Sequence, residues 1–191
     1  MIAQTIQPTR RRFTVQEFYR MAEAGILHED DRVELIEGEI IEMPPIGDWH
    51  AEHVDSLTER LVDGFRDVAR VRAQNPVQLD ANSLPKPDLA LLHRRPGFYA
   101  SGPPRVADIF LLIEVTDTTF QYDSVVKAHL YAAAGVPEYW LLDRNRDVLA
   151  VHRDPMPEGY GSVQTLHRID RVAPLAFPDR KLAVSDLLGE P

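Results

Sequence analysis

Two carboxylates stand where apolar segments of this sequence begin and end. Asp88 follows Pro87 at the start of the segment 88–93, and Glu114 closes the continuous apolar run 109–113. A carboxylate beside a buried segment needs a compensating partner, because an unpaired charge there costs several kcal/mol. An arginine, a strand end that reaches water or a divalent cation would each compensate Glu114. Carboxylate oxygens suit octahedral Mg²⁺, so the pair predicts a metal site.

A lysine and a further glutamate are the next candidates. Lys127 lies in a predicted helix, residues 123–134, and begins a row of apolar residues at one-turn spacing. Because this helix is expected to pack over the sheet, the ammonium group could reach the end of the preceding strand. The alternative is a lysine that snorkels from the helix flank into water. Glu34 shares a strand face with Ile36, which predicts a carboxylate on a partly buried side.

Two histidines lie near the start of a predicted long helix. His50 and His53 are three residues apart and could share one helix face. The zinc-protease signature His-Glu-x-x-His is absent, because Glu52 directly precedes His53 and Val54 follows it. A contact from His50 to phosphate or water remains an open alternative.

Other catalytic chemistries have less support. The sequence contains no nucleophile elbow, no phosphate-binding P-loop and no dinucleotide fingerprint. A sugar hydrolase would use Asp88 and Glu114 as acid and base, but this hypothesis leaves Lys127 without a role.

Hydrophobic periodicity predicts an α/β core followed by a β-rich C-terminal part. Helices are predicted at residues 14–24, 48–69 and 123–134, the first with a capping box of Thr14 and Glu17. Strands are predicted at residues 32–36, 39–43, 71–79, 88–93, 109–114, 138–142, 147–152 and 160–167. The run 109–113 is typical of a central strand buried on both faces. The strand, helix and strand from residue 109 to 142 predict a parallel βαβ unit.

Composition limits the class of protein and its surroundings. The 191 residues, of which 44% are hydrophobic, suit a single domain, predicted at residues 13–191 after a flexible arm at residues 1–12. The absence of cysteine excludes disulfides and thiolate chemistry and fits a reducing cytoplasm. No stretch approaches the roughly 20 apolar residues that a membrane-spanning helix requires, so no membrane association is expected.

The net charge of −9 opposes tight binding of bare nucleic acid, because lysine and arginine supply most of the affinity for phosphates. Local potential matters more than total charge. A basic rim around an acidic centre could come from Arg10, Arg11, Arg12, Lys86, Arg94 and Arg95.

The order of these residues resembles that of the Uma family of restriction-endonuclease-like proteins. The resemblance covers nearly the whole chain from Phe13 to Leu188, and its most specific part is residues 131–140. The motifs that carry it are Val33-Glu34-Leu35-Ile36-Glu37-Gly38-Glu39, Met43-Pro44-Pro45 with His50, Pro87-Asp88, Ile113-Glu114-Val115, Asp123 with Lys127, and Tyr131-Ala132-x-x-Gly135-Val136-x-Glu138-Tyr139-Trp140. The resemblance implies a PD-(D/E)XK nuclease fold, a mixed central sheet flanked by helices.

The resemblance also implies roles for individual residues. Asp88 and Glu114 would hold Mg²⁺ or Mn²⁺. Lys127 would orient or activate water and stabilise charge, and Glu34 would assist as a ligand directly or through water. The implied reaction is metal-assisted hydrolysis of a phosphodiester bond.

This sequence departs from the nuclease pattern immediately after the glutamate strand. The usual lysine position, two residues after Glu114, is Thr116, and the resemblance implies that Lys127 replaces that lysine from the following helix. Where the family tends to have Leu-Ser-Pro-Ser, this chain has Thr116-Asp117-Thr118-Thr119. Asp117 would therefore repel phosphate or bind a second ion.

The leading hypothesis is a metal-dependent endonuclease that acts on DNA. The alternative is a catalytically inactive module on a nuclease fold, which binds nucleic acid or another partner, because a fold does not establish an activity. The acidic net charge favours this alternative. A homodimer is also considered, because a two-fold pair of sites would serve to cut both strands of a duplex.

Overall fold

The computed structural model describes residues 9–28 and 30–189. Within them the α-helices are α1 (Val15–Glu23), α2 (Asp48–Phe65), α3 (Ala128–Ala133) and α4 (Val184–Leu188). The strands are β1 (Val33–Ile36), β2 (Glu39–Glu42), β3 (Arg70–Ala73), β4 (Leu89–Leu92), β5 (Ile109–Thr116), β6 (Glu138–Asp143), β7 (Val148–Met156), β8 (Gly159–Leu166), β9 (Arg171–Val172) and β10 (Leu182–Ala183). A 3₁₀ turn (Val106–Asp108) precedes β5, and a π-helical segment (Tyr122–Lys127) leads into α3.

A six-stranded mixed sheet forms the centre, in the order β3-β4-β5-β6-β7-β8. Strands β5 and β6 are parallel, and the other neighbours are antiparallel. The predicted mixed α/β sheet and its parallel pair are confirmed. The β-rich C-terminal part supplies β7 and β8, which extend the central sheet.

The two faces of β5 are buried under different helices, which explains its continuous apolar sequence. Leu111, Ile113 and Val115 pack with α2 on one face, whereas Leu112 packs with α3 on the other. Side chains alternate along a strand, so Glu114 continues the row of Leu112 on the α3 face. This alternation places a carboxylate at the end of a buried row.

Several predicted boundaries are corrected. The strand predicted at 71–79 ends at Ala73, because Gln74 takes a φ of 50° that a continuing strand does not permit. The helix predicted at 48–69 ends at Phe65, and the chain then turns to bury Ala69 before β3. The helix predicted at 123–134 is regular only from Ala128. The capping box of α1 is confirmed.

The hairpin of β1 and β2 is fixed against the segment before α1. The Arg12 guanidinium donates to the Glu37 carbonyl oxygen, and Phe13 N donates to Gly38 O at 2.8 Å. Gly38 has a φ of 80°, and a Cβ there would lie 2.5 Å from Arg12 Cβ, so no larger residue fits. Of the predicted arm at residues 1–12, residues 1–8 lie outside the described part of the chain.

Candidate active site

A cavity of about 270 Å³ opens beside the ends of β1, β4 and β5. The structure brings to its wall five candidate side chains: Glu34, His50, Asp88, Glu114 and Lys127. His53 does not line the cavity but is buried against the Trp49 ring. The five side chains come from separate elements, so the fold of the sheet and its helices assembles the cluster.

Asp88 is held at the start of β4 by three neighbours. Its Oδ2 accepts a hydrogen bond from Val115 N at 2.9 Å, and its Oδ1 lies 2.9 Å from His50 Nε2. Its own amide donates to Glu114 Oε2 at 3.2 Å. Burial alone would raise the pKa of Asp88, but the hydrogen bond and charge of His50 and the Val115 amide together lower that pKa. Asp88 is therefore an ionised carboxylate with a fixed orientation.

Glu114 is buried and links the cluster to α3. Its Oε1 accepts from Lys127 Nζ at 2.9 Å and from Tyr131 Oη at 2.7 Å. Burial and the neighbouring carboxylates raise the pKa of Glu114 well above its ordinary value, although Lys127 acts in the opposite direction. No signal in the sequence predicts the contact between Tyr131 and Glu114.

Lys127 lies inside the molecule, with 2% of its surface exposed, so the snorkelling alternative is wrong. Its Nζ donates to Glu114 and, at 3.1 Å, to Glu34 Oε1. Burial would lower the pKa of Lys127, but the two glutamates and Asp123 raise it well above the ordinary value. The lysine is therefore a protonated cation bridging two carboxylates.

The segment that carries Lys127 is π-helical over Tyr122–Lys127. Such single turns are frequent at functional sites, and they change the direction of side chains relative to a regular helix. Here Asp123 and Lys127 are both buried, and both line the cavity. The local irregularity thus directs an acid and a base into the same space.

Asp123 is an acid of the site to which sequence analysis gave no role of its own. Its Oδ2 accepts from Thr119 Oγ1 at 2.5 Å, and burial raises the pKa of Asp123. The only signal for it was its place four residues before Lys127 in the quoted motif. Thr116, at the usual lysine position, is fully buried, and its hydroxyl lies 3.3 Å from that of Thr119.

Glu34 reaches the cluster from β1, where Leu35 bridges to Leu84 and anchors the hairpin to the domain. Its Oε1 accepts from Lys127, while its Oε2 is buried without a hydrogen-bond partner among the described residues. An unpaired buried carboxylate oxygen is costly, so this atom is suited to accept a hydrogen bond from a bound molecule.

The donor set fits a hard divalent cation. Four acids (Glu34, Asp88, Glu114 and Asp123) line the inner part of the cavity, so several carboxyl oxygens are available as donors. Residues 9–28 and 30–189 contain no cluster of three or more His, Cys, Asp or Glu side chains arranged to enclose a metal. Mg²⁺ does not require one, because it is usually bound by one or two carboxylates and keeps several waters.

The mouth of the cavity is less acidic than the sequence predicts. Asp117 lines it, but its Oδ2 lies 3.0 Å from Arg144 Nη1, so its charge is compensated. Of the predicted basic rim, Lys86 lines the cavity. The other predicted rim arginines with described ion pairs contact carboxylates instead: Arg10 and Arg12 with Glu39, Arg11 with Glu17, and Arg95 with Asp108.

In protein freed of divalent ions, we expect His50 to titrate above its ordinary pKa, because the hydrogen bond to Asp88 favours the imidazolium. A pKa raised by folding contributes stability that is fully present below about pH 6.5 and is lost as the pH rises through the folded pKa. Titration of the His50 ring by NMR measures this pKa. Asp88→Asn should bring it to or below the ordinary value, and an unchanged pKa would contradict the pairing.

The comparisons with known proteins agree with this fold. A crystal structure of a putative nuclease belonging to DUF820, from Anabaena variabilis, matches with a TM-score of 0.71 and 18% identity, over 92% of this chain and 97% of that chain. No curated protein matches the sequence. Among the described residues, no helix is both long and apolar enough to cross a membrane. The model of the Uma2 family, described as a putative restriction endonuclease, matches residues 15–185. The chain therefore belongs to the Uma2 family.

Proposed function

We propose that this protein is a metal-dependent endonuclease that hydrolyses phosphodiester bonds of DNA. The observation that carries the proposal is the buried Lys127, which bridges Glu34 and Glu114 beside Asp88 in one open cavity. A purely structural core has little reason to bury a lysine with several carboxylates, because desolvation often exceeds the Coulombic gain. Membership of the family described as putative restriction endonucleases supports the same conclusion.

The carboxylates of Asp88 and Glu114 would hold Mg²⁺ or Mn²⁺. The ion supplies Lewis-acid polarisation of a phosphoryl oxygen and a lower pKa for a bound water. His50 fixes the Asp88 carboxylate through its contact at 2.9 Å, and the Val115 amide fixes the other oxygen. Two elements thus orient one ligand before substrate arrives.

Lys127 and Glu34 would act on the substrate and on the attacking water rather than hold the metal ion. The raised pKa of Lys127 keeps its ammonium charged, so it stabilises negative charge that develops on the phosphoryl group. The unpaired Glu34 Oε2 is suited to accept a hydrogen bond from the attacking water and to orient it.

The second candidate function is a nuclease-fold module that binds a partner without cleaving it. The net charge of −9 favours it, because an acidic surface weakens binding to bare DNA. A sugar hydrolase has less support, since it gives no role to Lys127, which donates to Glu114 Oε1.

Incubation with a covalently closed supercoiled plasmid tests the proposal, because such DNA has no ends for an exonuclease. We expect nicked or linear products with Mg²⁺ or Mn²⁺ and none with EDTA. An intact plasmid, together with measurable DNA binding by the folded protein, would favour the binding module.

We further propose that the protein is cytoplasmic and forms a homodimer. Size-exclusion chromatography with light scattering would test the dimer.

A further inference from the structure

A group of arginines and aromatic residues lies along the edge of the central sheet, outside the cavity. The Arg70 guanidinium lies 4.0 Å from the centre of the Phe98 ring, and that of Arg72 lies 6.0 Å from the Tyr99 ring. We name these four residues (Arg70, Arg72, Phe98 and Tyr99) the arginine–aromatic edge. Arginine beside an aromatic face is a stabilising cation–π arrangement, so the rings and charges hold each other in place.

Phe98 is open to solvent, with 66% of its surface exposed. Phe98 and Tyr99 have φ angles of 54° and 64°, a conformation uncommon for bulky residues. Such conformations persist only where the surroundings hold them, and they concentrate at binding sites. The turn thus presents an apolar ring to solvent, one side of which is covered by Arg70.

The charges of the edge are not compensated by acids. In the described part of the chain, no carboxylate forms an ion pair with Arg70 or Arg72. Arg72 Nη1 is also buried without a hydrogen-bond partner among those residues. The Arg72 Nη2 atom donates to Asn75 Oδ1 at 3.0 Å, a neutral acceptor. A protein with a net charge of −9 therefore keeps two positive charges beside an exposed ring that no described acid compensates. This combination fits a ligand that carries both negative charge and a flat face.

The edge lies on the same face of the sheet as Glu114. Arg72 pairs in register with Ala90, and Ala90 pairs with Leu112, whose row on β5 continues to Glu114. Strand β3 leads directly from the edge to Gln74, which lines the cavity. At a rise of about 3.3 Å per residue, Arg70 is roughly 13 Å along the chain from Gln74. A DNA strand held in the cavity would reach the edge within a few nucleotides.

We propose that the arginine–aromatic edge binds an unpaired nucleotide of the DNA strand that passes through the cavity. The base stacks on Phe98, and Arg70 and Arg72 contact the adjacent phosphates. Stacking on an aromatic ring within a positively charged track is how proteins bind single strands without sequence preference. In a paired duplex the base faces are covered by neighbouring bases, so Phe98 should discriminate for single-stranded segments. This proposal rests on DNA being the substrate.

The test is fluorescence anisotropy with a labelled single-stranded thymidine oligonucleotide and with a blunt duplex, in EDTA so that no cleavage occurs. We expect Phe98→Ala and Phe98→Leu each to weaken binding of the single strand by about tenfold or more, the effect of losing one stacked base, and to leave duplex binding unchanged. The leucine variant keeps apolar bulk in the turn, so weaker binding by this variant reports the absence of the aromatic ring itself. Thermal unfolding confirms that both variants fold.

The arginines are tested through the salt dependence of the same binding. Arg70→Ala and Arg72→Ala should each reduce the slope of log affinity against log salt by about 0.7, the value for one phosphate contact on a single strand. The matched control is Arg60→Ala, an exposed arginine of α2 on the other face of the sheet, which should leave the slope unchanged.

The failure of this proposal differs from that of the proposed function. If wild-type protein cleaves plasmid DNA, but the Phe98 and Arg70 variants bind the single strand as the Arg60 variant does, the edge is not a binding site and the nuclease proposal stands. Equal weakening of single-strand and duplex binding by Phe98→Ala would also overturn the stacking proposal. If wild-type protein neither binds nor cleaves DNA, both proposals are wrong.

Discussion

Replacing Lys127 with methionine should abolish cleavage and lower the free energy of unfolding by about 3–5 kcal/mol at pH 8, the usual cost of removing one partner of a buried ion pair. Methionine fills a similar volume, so the lower free energy of unfolding reports the missing charge rather than a cavity. Glu34 and Glu114, which both accept hydrogen bonds from Lys127 Nζ, would remain buried without their common cation. Chemical denaturation with urea measures the change in stability.

The pH dependence of this variant follows from the directions of the pKa shifts. The Lys127 pKa is raised on folding, so its contribution is fully present below about pH 10.4 and is constant at neutral pH. The Glu114 pKa is also raised on folding, chiefly by burial. In the Lys127→Met variant, no lysine opposes this increase of the Glu114 pKa. Stability from Glu114 is present below its unfolded pKa and is lost as the pH rises through the folded pKa.

The Lys127→Met protein should therefore be more stable near pH 5 than near pH 8. This difference in the free energy of unfolding between the two pH values should be larger in the variant than in the wild type. Lys181→Met is the matched control, because Lys181 is exposed and far along the chain from the cavity, and it should change stability by about 0.5 kcal/mol or less. Equal stability losses at both pH values would argue that the carboxylates do not depend on the lysine.

Asp88→Asn should remove most of the stabilisation that Mg²⁺ gives to the wild type. A ligand at 100 times its dissociation constant stabilises the folded state by about 2.7 kcal/mol. Asparagine keeps the size of Asp88 and one acceptor oxygen, but it replaces the other oxygen with an NH2 donor and lacks the negative charge that attracts the ion. Thermal unfolding with rising Mg²⁺, for both proteins, measures the difference.

Asp117→Asn is the control for this measurement. Asp117 lies at the mouth of the same cavity, but Arg144 already compensates its charge. Its substitution should leave most of the Mg²⁺ effect intact. If the Asp117 variant lost the effect and the Asp88 variant kept it, the ion would bind at the mouth, and the ligand assignment would be wrong.

The central sheet could be predicted because its signals are local. Ile109–Ile113 is a continuous apolar run, and its burial under helices on both faces follows directly from that pattern. The capping box of Thr14 and Glu17 likewise fixes the start of α1 by contacts between residues three apart. Asp88 and Glu114 were identifiable because a charge beside such a run needs a partner.

The remaining features depend on contacts between distant parts of the chain. The pairing of His50 with Asp88 joins residues 38 positions apart, and no periodicity predicts it. The π-helical turn arises where Asp123 and Lys127 are both drawn into the cavity, whereas propensity alone predicts a regular helix. Tyr131 lies in the apolar row of the helix, where the pattern predicts an ordinary core residue. The pattern therefore does not predict the hydrogen bond from its hydroxyl group to Glu114.

The most direct test of the central claim is Mg²⁺-dependent cleavage of labelled DNA by wild-type protein and Asp88→Asn, purified side by side. We predict cleavage by the wild type, loss of that cleavage in EDTA, and at most a trace of activity in the variant. Equal activity in the two preparations would mean that Asp88 does not serve the reaction or that a contaminant does the cutting. No cleavage by folded wild-type protein with either Mg²⁺ or Mn²⁺ would contradict the nuclease assignment.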